Sequence, residues 1–201
     1  MEKKIVRISV LVSGNGTNLQ ALIDAIDNGI IKGAKIVQVI SSNASAYAVE
    51  RAIDHNIPVA IITKHDFADI RDRMQAILQA LENESTDLVV LAGYMSILPE
   101  EVIKEYKDRI INIHPALLPK YSGKGCYGMK VHEQVIADRE TESGATVHYV
   151  DEGVDTGRII LQGIVPVKQS DTPELLFSRV QKKEHEILPK AVNMVIQEKG
   201  W

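Results

Sequence analysis

The segment RIINIHP, residues 109–115, places an amide and an imidazole two residues apart. In an extended strand such residues project from the same face, so Asn112 and His114 would share one side of a sheet. Pro115 follows directly and would end the strand. An amide donor beside a titratable imidazole can stabilise a developing oxyanion and move protons at a carbonyl-like carbon. An isolated Asn-x-His is more often only the polar end of a strand, so the spacing alone leaves both interpretations open.

An acidic connection follows further along the chain, in the segment DEGVDTG at residues 151–157. A glycine-flanked segment of this kind between two strands is commonly only a turn. It could also return a carboxylate, such as that of Asp155, to His114. A carboxylate there would favour the imidazolium and raise its pKa. The spacing does not choose between a turn and a catalytic contact.

A glycine-rich turn, SGNGTNLQ at residues 13–20, follows the apolar run 8–12. Gly14 and Gly16 permit positive φ and close backbone approach. The free N–H groups at the start of the following helix would favour an anion such as phosphate. No lysine follows the glycines, so a phosphate monoester fits better than a triphosphate with Mg²⁺. A tight turn without a ligand would have the same sequence.

The elements that position these residues alternate along the first half of the chain. Short apolar, β-branched runs predict strands at 5–12, 35–41, 58–63, 87–92 and 109–113, and helical patterns lie at 17–28, 45–55, 67–83 and 99–106. This alternation predicts an α/β fold with a mostly parallel, open, twisted sheet and helices on both faces. The glycine turn and Asn112-x-His114 would then lie at the carboxyl edge, where such sheets bind ligands.

The pattern changes after residue 113. A loop rich in proline and glycine (114–125) precedes a helix near 127–137, and the strands ATVHYV and RIILQGIVPV are predicted to pair antiparallel. A last helix begins at DTPELL, where Asp171 or Thr172 can cap it and Pro173 suits its first turn. No internal boundary is indicated, so residues 1–201 are predicted to form one domain.

The composition of the chain argues against several classes of protein. The 201 residues are 45% hydrophobic and carry a net charge of -4, which argues against a protein whose main partner is a nucleic acid. The single cysteine, Cys126, excludes an internal disulfide and suits a reducing compartment. The start, MEKKIVRISVLV, is typical of a first strand rather than a signal peptide, and no apolar run is long enough to span a membrane. We therefore expect a cytoplasmic protein.

Five segments carry a family resemblance across nearly the whole chain. In order they are GNGTNLQ, LAGYMSIL, NIHPALLPKYSG, HYVDEGVDTGRIILQ and RVQKKEHEILP. Together they closely resemble the phosphoribosylglycinamide formyltransferases, folate-dependent enzymes of purine biosynthesis also called glycinamide ribonucleotide transformylases. The resemblance implies formyl transfer from 10-formyltetrahydrofolate to the amine of 5-phosphoribosylglycinamide. It implies small-molecule substrates and no metal, and it leaves the oligomeric state open.

The resemblance also assigns roles to residues. The implied catalytic residues are Asn112, His114 and Asp155. The implied ribonucleotide site has Gly16, Thr17, Asn18, Leu19 and Gln20 at the phosphate and Glu184 at the ribose hydroxyls. The implied folate site comprises Arg71, Met95, Ser96, Ile97, Leu98 and Asn112, with the alignment at Arg71 loose by one residue.

Three features depart from the family pattern. Arg158 stands where proline is expected, Ser96 replaces an arginine found in some relatives, and the loop 122–129 is longer than in some members. Among the other histidines, His148 lies near the proposed site and could support it. The remaining four, at positions 55, 65, 132 and 185, lack the spacing of a metal site.

Three alternative functions remain open from the sequence. A methionyl-tRNA formyltransferase would carry an additional tRNA-binding domain and a basic surplus. A formyltetrahydrofolate hydrolase would need an added regulatory domain, for which 201 residues leave no room. A non-catalytic phosphate-binding module would keep the fold, but the intact set of Asn112, His114 and Asp155 argues against it.

Overall fold

Short β-branched runs form the strands, and the segments between them form the helices, in a computed structural model that describes residues 4–201. The strands are β1 (Val6–Val12), β2 (Ala34–Ser41), β3 (Val59–Ile61), β4 (Leu88–Leu91), β5 (Ile110–His114), β6 (Glu142–Tyr149) and β7 (Ile159–Pro166). The helices are α1 (Thr17–Asp27), α2 (Tyr47–Asp54), α3 (Ile70–Asn83), α4 (Glu100–Glu105), α5 (Met129–Ala137) and α6 (Pro173–Glu198). Each predicted element is present, and only the terminal residues differ, as is usual at frayed ends.

The seven strands form one sheet in the order β3-β2-β1-β4-β5-β6-β7. Strands β1 to β5 are parallel, whereas β6 pairs antiparallel with both β5 and β7. The predicted fold class is therefore confirmed. In the β5–β6 pair Asn112 lies opposite His148, and His114 lies opposite Thr146. This register decides which side chain of β6 reaches the end of β5.

Helices cover both faces of the sheet. On one face α1, α2, α5 and α6 pack over a core that includes Val10 and Val12 of β1. On the other face α3 and α4 pack over a core that includes Leu11 of the same strand. Because a central parallel strand is buried on both sides, its sequence is an apolar run rather than an alternating pattern. No helix in residues 4–201 is long and apolar enough to cross a membrane.

The strand after the acidic connection begins at Ile159, so Arg158 occupies the last position before it. The carbonyl of Arg158 accepts a hydrogen bond from the N–H of Tyr149 at 2.9 Å. Its guanidinium lies 4.5 Å from the centre of the Tyr149 ring and pairs with Glu198 at 2.6 Å. Arginine at this position therefore joins the start of β7 to β6 and to the end of α6.

Candidate active site

Four side chains that are distant in sequence meet at the carboxyl end of β5. The β5–β6 pairing brings Asn112 Nδ2 within 3.1 Å of His148 Nε2. The connection between β6 and β7 then returns Asp155 to both histidines. Its carboxylate oxygens lie 3.6 Å from His114 Nδ1 and 3.6 Å from His148 Nε2. The structure thus brings together the three predicted catalytic residues and adds His148 to them.

The protons of His114 are fixed by a backbone contact. Its Nε2 lies 2.8 Å from the carbonyl oxygen of Tyr121. Since a carbonyl oxygen can only accept, Nε2 must carry the proton when the ring is neutral. The Nδ1 lone pair then faces Asp155, and a second proton on the ring would sit at Nδ1. His114 is therefore arranged to take up a proton on the side of Asp155.

Burial lowers the pKa of His114 below its ordinary value of 6.5. The charge of Asp155 and the carbonyl of Tyr121 oppose this shift, and the nearby His148 adds to it. The net direction is opposite to the rise expected from Asp155 alone. The reason is that only 4% of His114 is exposed, so desolvation of the imidazolium outweighs the ion pair.

Asp155 remains ionised in this cluster. Burial raises its pKa, but the contacts with His148 and His114 and a hydrogen bond from the Gly123 N–H bring the pKa below 3.8. The Gly123 nitrogen lies 3.2 Å from Asp155 Oδ2. A carboxylate that is charged at neutral pH beside a neutral His114 can stabilise the imidazolium when it forms.

The glycine turn forms the start of α1. Gly16 adopts φ 71°, and a Cβ there would lie 2.6 Å from the Cβ of Ala48 in α2. Glycine is therefore required both by the backbone and by the packing. The first N–H groups of α1, at Thr17, Asn18 and Leu19, have no partner within the helix. Free N–H groups at a helix start of this kind can bind an anion.

The predicted phosphate residues are not equally available. The Leu19 side chain is fully buried, so only its backbone can face a ligand. The Gln20 N–H already donates to the Gly16 carbonyl at 2.9 Å. The Gln20 side chain accepts from Arg51 at 3.1 Å. Direct contact with a phosphate is therefore left mainly to Gly16, Thr17, Asn18 and the Leu19 N–H.

Helix α6 closes one side of the glycine turn. Asn18 Nδ2 donates to Glu184 Oε2 at 2.8 Å, and Gln181 Nε2 donates to Thr17 Oγ1 at 3.3 Å. Burial raises the pKa of Glu184 to about 7, although the Asn18 amide opposes that rise. Glu184 can therefore accept or donate a hydrogen bond near neutral pH. Gln181 was not predicted, but its position three residues before Glu184 places both on one helix face.

Arg51 supports the turn from behind and was also not predicted. Its Nε donates to the Asn15 carbonyl at 2.8 Å, and its Nη1 donates to the Gln20 side chain. The guanidinium supplies a positive charge beside a turn that contains no lysine of its own. No sequence signal identifies Arg51, because its contact with the turn depends on how α2 packs against Gly16.

The predicted folate segment connects β4 to α4. Met95 is 55% exposed and Ile97 is 74% exposed, whereas Leu98 is buried in the core beneath α3 and α4. The Met95 N–H donates to Ser13 Oγ at 2.8 Å, which ties the segment to the glycine turn. Two apolar side chains are therefore held open to solvent beside the catalytic edge, while Leu98 can contribute only through its backbone.

Arg71 and Arg73 differ in their surroundings. Within the described residues Arg71 pairs only with Asp69, at 2.6 Å, and its side chain is 80% exposed. Arg73 is 6% exposed and donates to the hydroxyl of Tyr94, directly before the folate segment, at 3.1 Å. The structure therefore does not bring Arg71 into contact with the other predicted folate residues. Only packing distinguishes the two arginines, because both lie in the first turn of α3.

No group of three or more His, Cys, Asp or Glu side chains within residues 4–201 is arranged to hold a metal ion. The four polar side chains at the end of β5 instead form a cluster of one carboxylate, two imidazoles and one amide. Such a set can move protons and stabilise charge at a reacting carbonyl carbon. The start of α1, at the same edge of the sheet, can hold an anionic group.

Comparison with known proteins agrees with this geometry. The chain matches the formyl transferase family over residues 6–192. It is 41% identical over 186 residues to phosphoribosylglycinamide formyltransferase of Haemophilus influenzae, covering 92% of this chain and 85% of that protein. It is 36% identical to the crystal structure of glycinamide ribonucleotide transformylase 1 from Symbiobacterium toebii, with a TM-score of 0.91 and coverage of 98% and 90%.

A second kind of relative is much longer. The trifunctional purine biosynthetic protein adenosine-3 of Drosophila pseudoobscura pseudoobscura is 43% identical over 190 residues, which are 94% of this chain but 14% of that protein. The chain thus corresponds to one part of the longer relatives and to most of the Haemophilus protein. It belongs to the formyl transferase family, and within that family to the phosphoribosylglycinamide formyltransferases.

Proposed function

We propose that the protein transfers the formyl group of 10-formyltetrahydrofolate to the amine of 5-phosphoribosylglycinamide. The observation that carries this proposal is the convergence of Asn112, His114, His148 and Asp155 at the same edge of the sheet as the start of α1. A phosphate monoester held at that helix end would leave its amine free to extend toward β5. The family membership supports the same reaction.

The residues suggest a path for the proton. As the amine attacks the formyl carbon, the oxygen gains negative charge, and the Asn112 amide can donate to it. The attacking nitrogen must lose a proton, which His114 can take at Nδ1, the ring nitrogen that carries no proton and lies on the side of Asp155. The imidazolium that forms faces the Asp155 carboxylate and can then protonate the departing folate nitrogen. The bond from the formyl carbon to the substrate amine replaces its bond to the folate nitrogen, and the proton moves from the amine to the folate nitrogen.

The two substrates would bind on either side of this cluster. The first N–H groups of α1 would hold the phosphate, with the charge of Arg51 behind them, and Glu184 would meet the ribose hydroxyls. The exposed side chains of Met95 and Ile97 would pack against the folate ring system. Arg71 remains a proposed contact for the folate, and no metal is required by this chemistry. We propose a single catalytic domain, residues 1–201, acting in the cytoplasm.

A turnover assay with defined acceptors tests this function. Purified protein is mixed with 10-formyltetrahydrofolate and 5-phosphoribosylglycinamide, and the formylated ribonucleotide is followed by mass spectrometry. We expect turnover that requires both substrates. A His114→Ala variant purified in the same way controls for a contaminating enzyme. Efficient formylation of methionyl-tRNA, or rapid formyl-folate hydrolysis without an acceptor, would instead support one of the alternative enzymes.

A further inference from the structure

The loop between β5 and α5 contains a residue that touches the catalytic histidine through its backbone and a distant turn through its side chain. This residue is Tyr121. Its carbonyl oxygen lies 2.8 Å from His114 Nε2. It also adopts φ 55°, a conformation that residues other than glycine rarely adopt. Such a backbone persists only where surrounding contacts hold it.

The side chain of Tyr121 supplies those contacts. Its hydroxyl donates to Asp138 Oδ2 at 2.9 Å and approaches Glu140 Oε1 at 3.3 Å. Glu140 also accepts from Lys120 at 2.7 Å. Both acids lie in the connection between α5 and β6, and β6 pairs directly with β5. The phenol therefore fixes the loop to the part of the sheet that carries His114.

The same loop holds the carboxylate partner of His114. Two residues after Tyr121, the Gly123 N–H donates to Asp155. One short stretch of backbone thus offers an acceptor to the imidazole and a donor to the carboxylate. A shift of this stretch would change both the tautomer of His114 and its distance from Asp155.

We propose that Tyr121 is a positioning residue for His114. Its phenol anchors the loop, and its carbonyl thereby selects the tautomer that leaves Nδ1 free on the Asp155 side. This inference rests on the proposed proton transfer by His114. It assigns an indirect effect on the chemistry to two acids, Asp138, which is exposed, and Glu140, which is partly buried.

Tyr121→Phe tests the anchor, because it removes only the hydroxyl. We expect kcat to fall roughly three- to tenfold, the scale of one lost hydrogen bond, with little change in the KM for the ribonucleotide. Nitrogen-15 NMR of His114 should show the Nε2–H tautomer in the wild type and a mixture of tautomers in the variant. The fall in activity at low pH, where His114 becomes protonated and can no longer accept the proton, should move to lower pH, because the Tyr121 carbonyl favours the imidazolium and its loss lowers the pKa of His114.

The other groups that face His114 are unchanged in this variant. They are Asp155 in the β6–β7 connection, His148 on β6 and His132 on α5. Tyr106→Phe is the matched control, since Tyr106 is buried in the core beneath α3 and α4, whereas Tyr121 packs against the core on the other face; this change should leave kcat and the His114 tautomer unchanged. Thermal unfolding of each variant verifies that the fold is retained.

A double-mutant cycle supplies the second measurement. Asp138→Ala, at an exposed position, should reproduce part of the Tyr121→Phe effect on kcat, and the combined variant should lose less than the product of the two. An unchanged His114 tautomer in Tyr121→Phe, or fully independent effects in the cycle, would overturn the inference. If the wild-type protein showed no formyl transfer, the proposed function would be refuted instead. The two failures can be told apart, because the NMR measurement of the His114 tautomer does not depend on turnover.

Discussion

The proposed ribonucleotide cradle (residues 16–20 with Gln181 and Glu184) and the proposed catalytic cluster (Asn112, His114, His148 and Asp155) lie on the same edge of the sheet but are built differently. The cradle is largely one contiguous turn, residues 16–20, completed by two side chains of α6. The cluster takes its side chains from β5, β6 and the connection after β6, and a loop holds two of them. Local backbone geometry therefore specifies the cradle, whereas strand pairing and loop contacts specify the cluster.

The two regions also differ in how burial affects their titratable groups. In the cradle, burial raises the pKa of Glu184 to about 7. On α5, burial lowers the pKa of His132 to about 4, and both of its ring nitrogens are buried without a hydrogen-bond partner among residues 4–201. Burial favours the neutral form in each case, and for an acid and a base that means opposite pH dependences.

The largest expected effect belongs to the cluster. His114→Ala should lower kcat by ~10²–10⁴-fold, the scale of positioned acid–base catalysis, without weakening ribonucleotide binding in the cradle. Adding Asp155→Asn should lower kcat little further, because the effects of substituting residues that act as a unit do not add. Steady-state kinetics and calorimetric titration with the ribonucleotide measure the two parts separately. Equal losses in kcat and in ribonucleotide affinity would remove the distinction between the regions.

Asp155→Asn by itself tests the pairing within the cluster. It removes the charge that favours the imidazolium, so the pKa of His114 should fall below its already lowered value. An NMR titration of His114 in both backgrounds measures this change. Identical titration curves would make Asp155 an ordinary turn residue.

The next largest effect should be on the pH dependence of the free energy of unfolding, which should differ between the two regions. For His132 the folded pKa of about 4 lies below the ordinary 6.5, so the native state binds fewer protons and loses stability as pH falls through that interval. The loss is on the order of 3 kcal/mol. His132→Leu should remove it. Urea unfolding at pH 7 and pH 4.5 measures the difference.

Glu184 should act in the opposite direction. Its folded pKa of about 7 lies above the ordinary 4.5, so its contribution is fully present below pH 4.5 and is lost as pH rises through 7. Glu184→Gln should therefore gain stability relative to the wild type at pH 8, on the order of 3 kcal/mol, and little at pH 4.5. If His132→Leu and Glu184→Gln changed the free energy of unfolding with the same pH dependence, the contrast between the two regions would be contradicted.

The smallest effect should come from the backbone of the cradle. Gly16→Val introduces a side chain at positive φ and against Ala48, so we expect ribonucleotide affinity to fall roughly 10- to 100-fold. Folate binding should change little. Gly14→Ala is the matched control, because a Cβ there meets nothing within 4 Å. Unchanged ribonucleotide affinity in folded Gly16→Val would refute the phosphate assignment.

Local sequence determined much of this protein. Strand and helix positions followed from apolar periodicity, and the alternation of elements was enough to place the glycine turn and Asn112-x-His114 at one edge. The antiparallel pair at the end of the chain followed from a short, turn-rich connection. These features depend on interactions within a few residues, which is why a single sequence reveals them.

Tertiary structure alone decided the rest. The register of β5 and β6 put His148 beside Asn112, and the path of the following loop put the Tyr121 carbonyl on His114. Burial reversed the net pKa shift expected for His114, and packing distinguished Arg73 from Arg71. Register, desolvation and packing arise from residues far apart in the chain, so no local pattern encodes them.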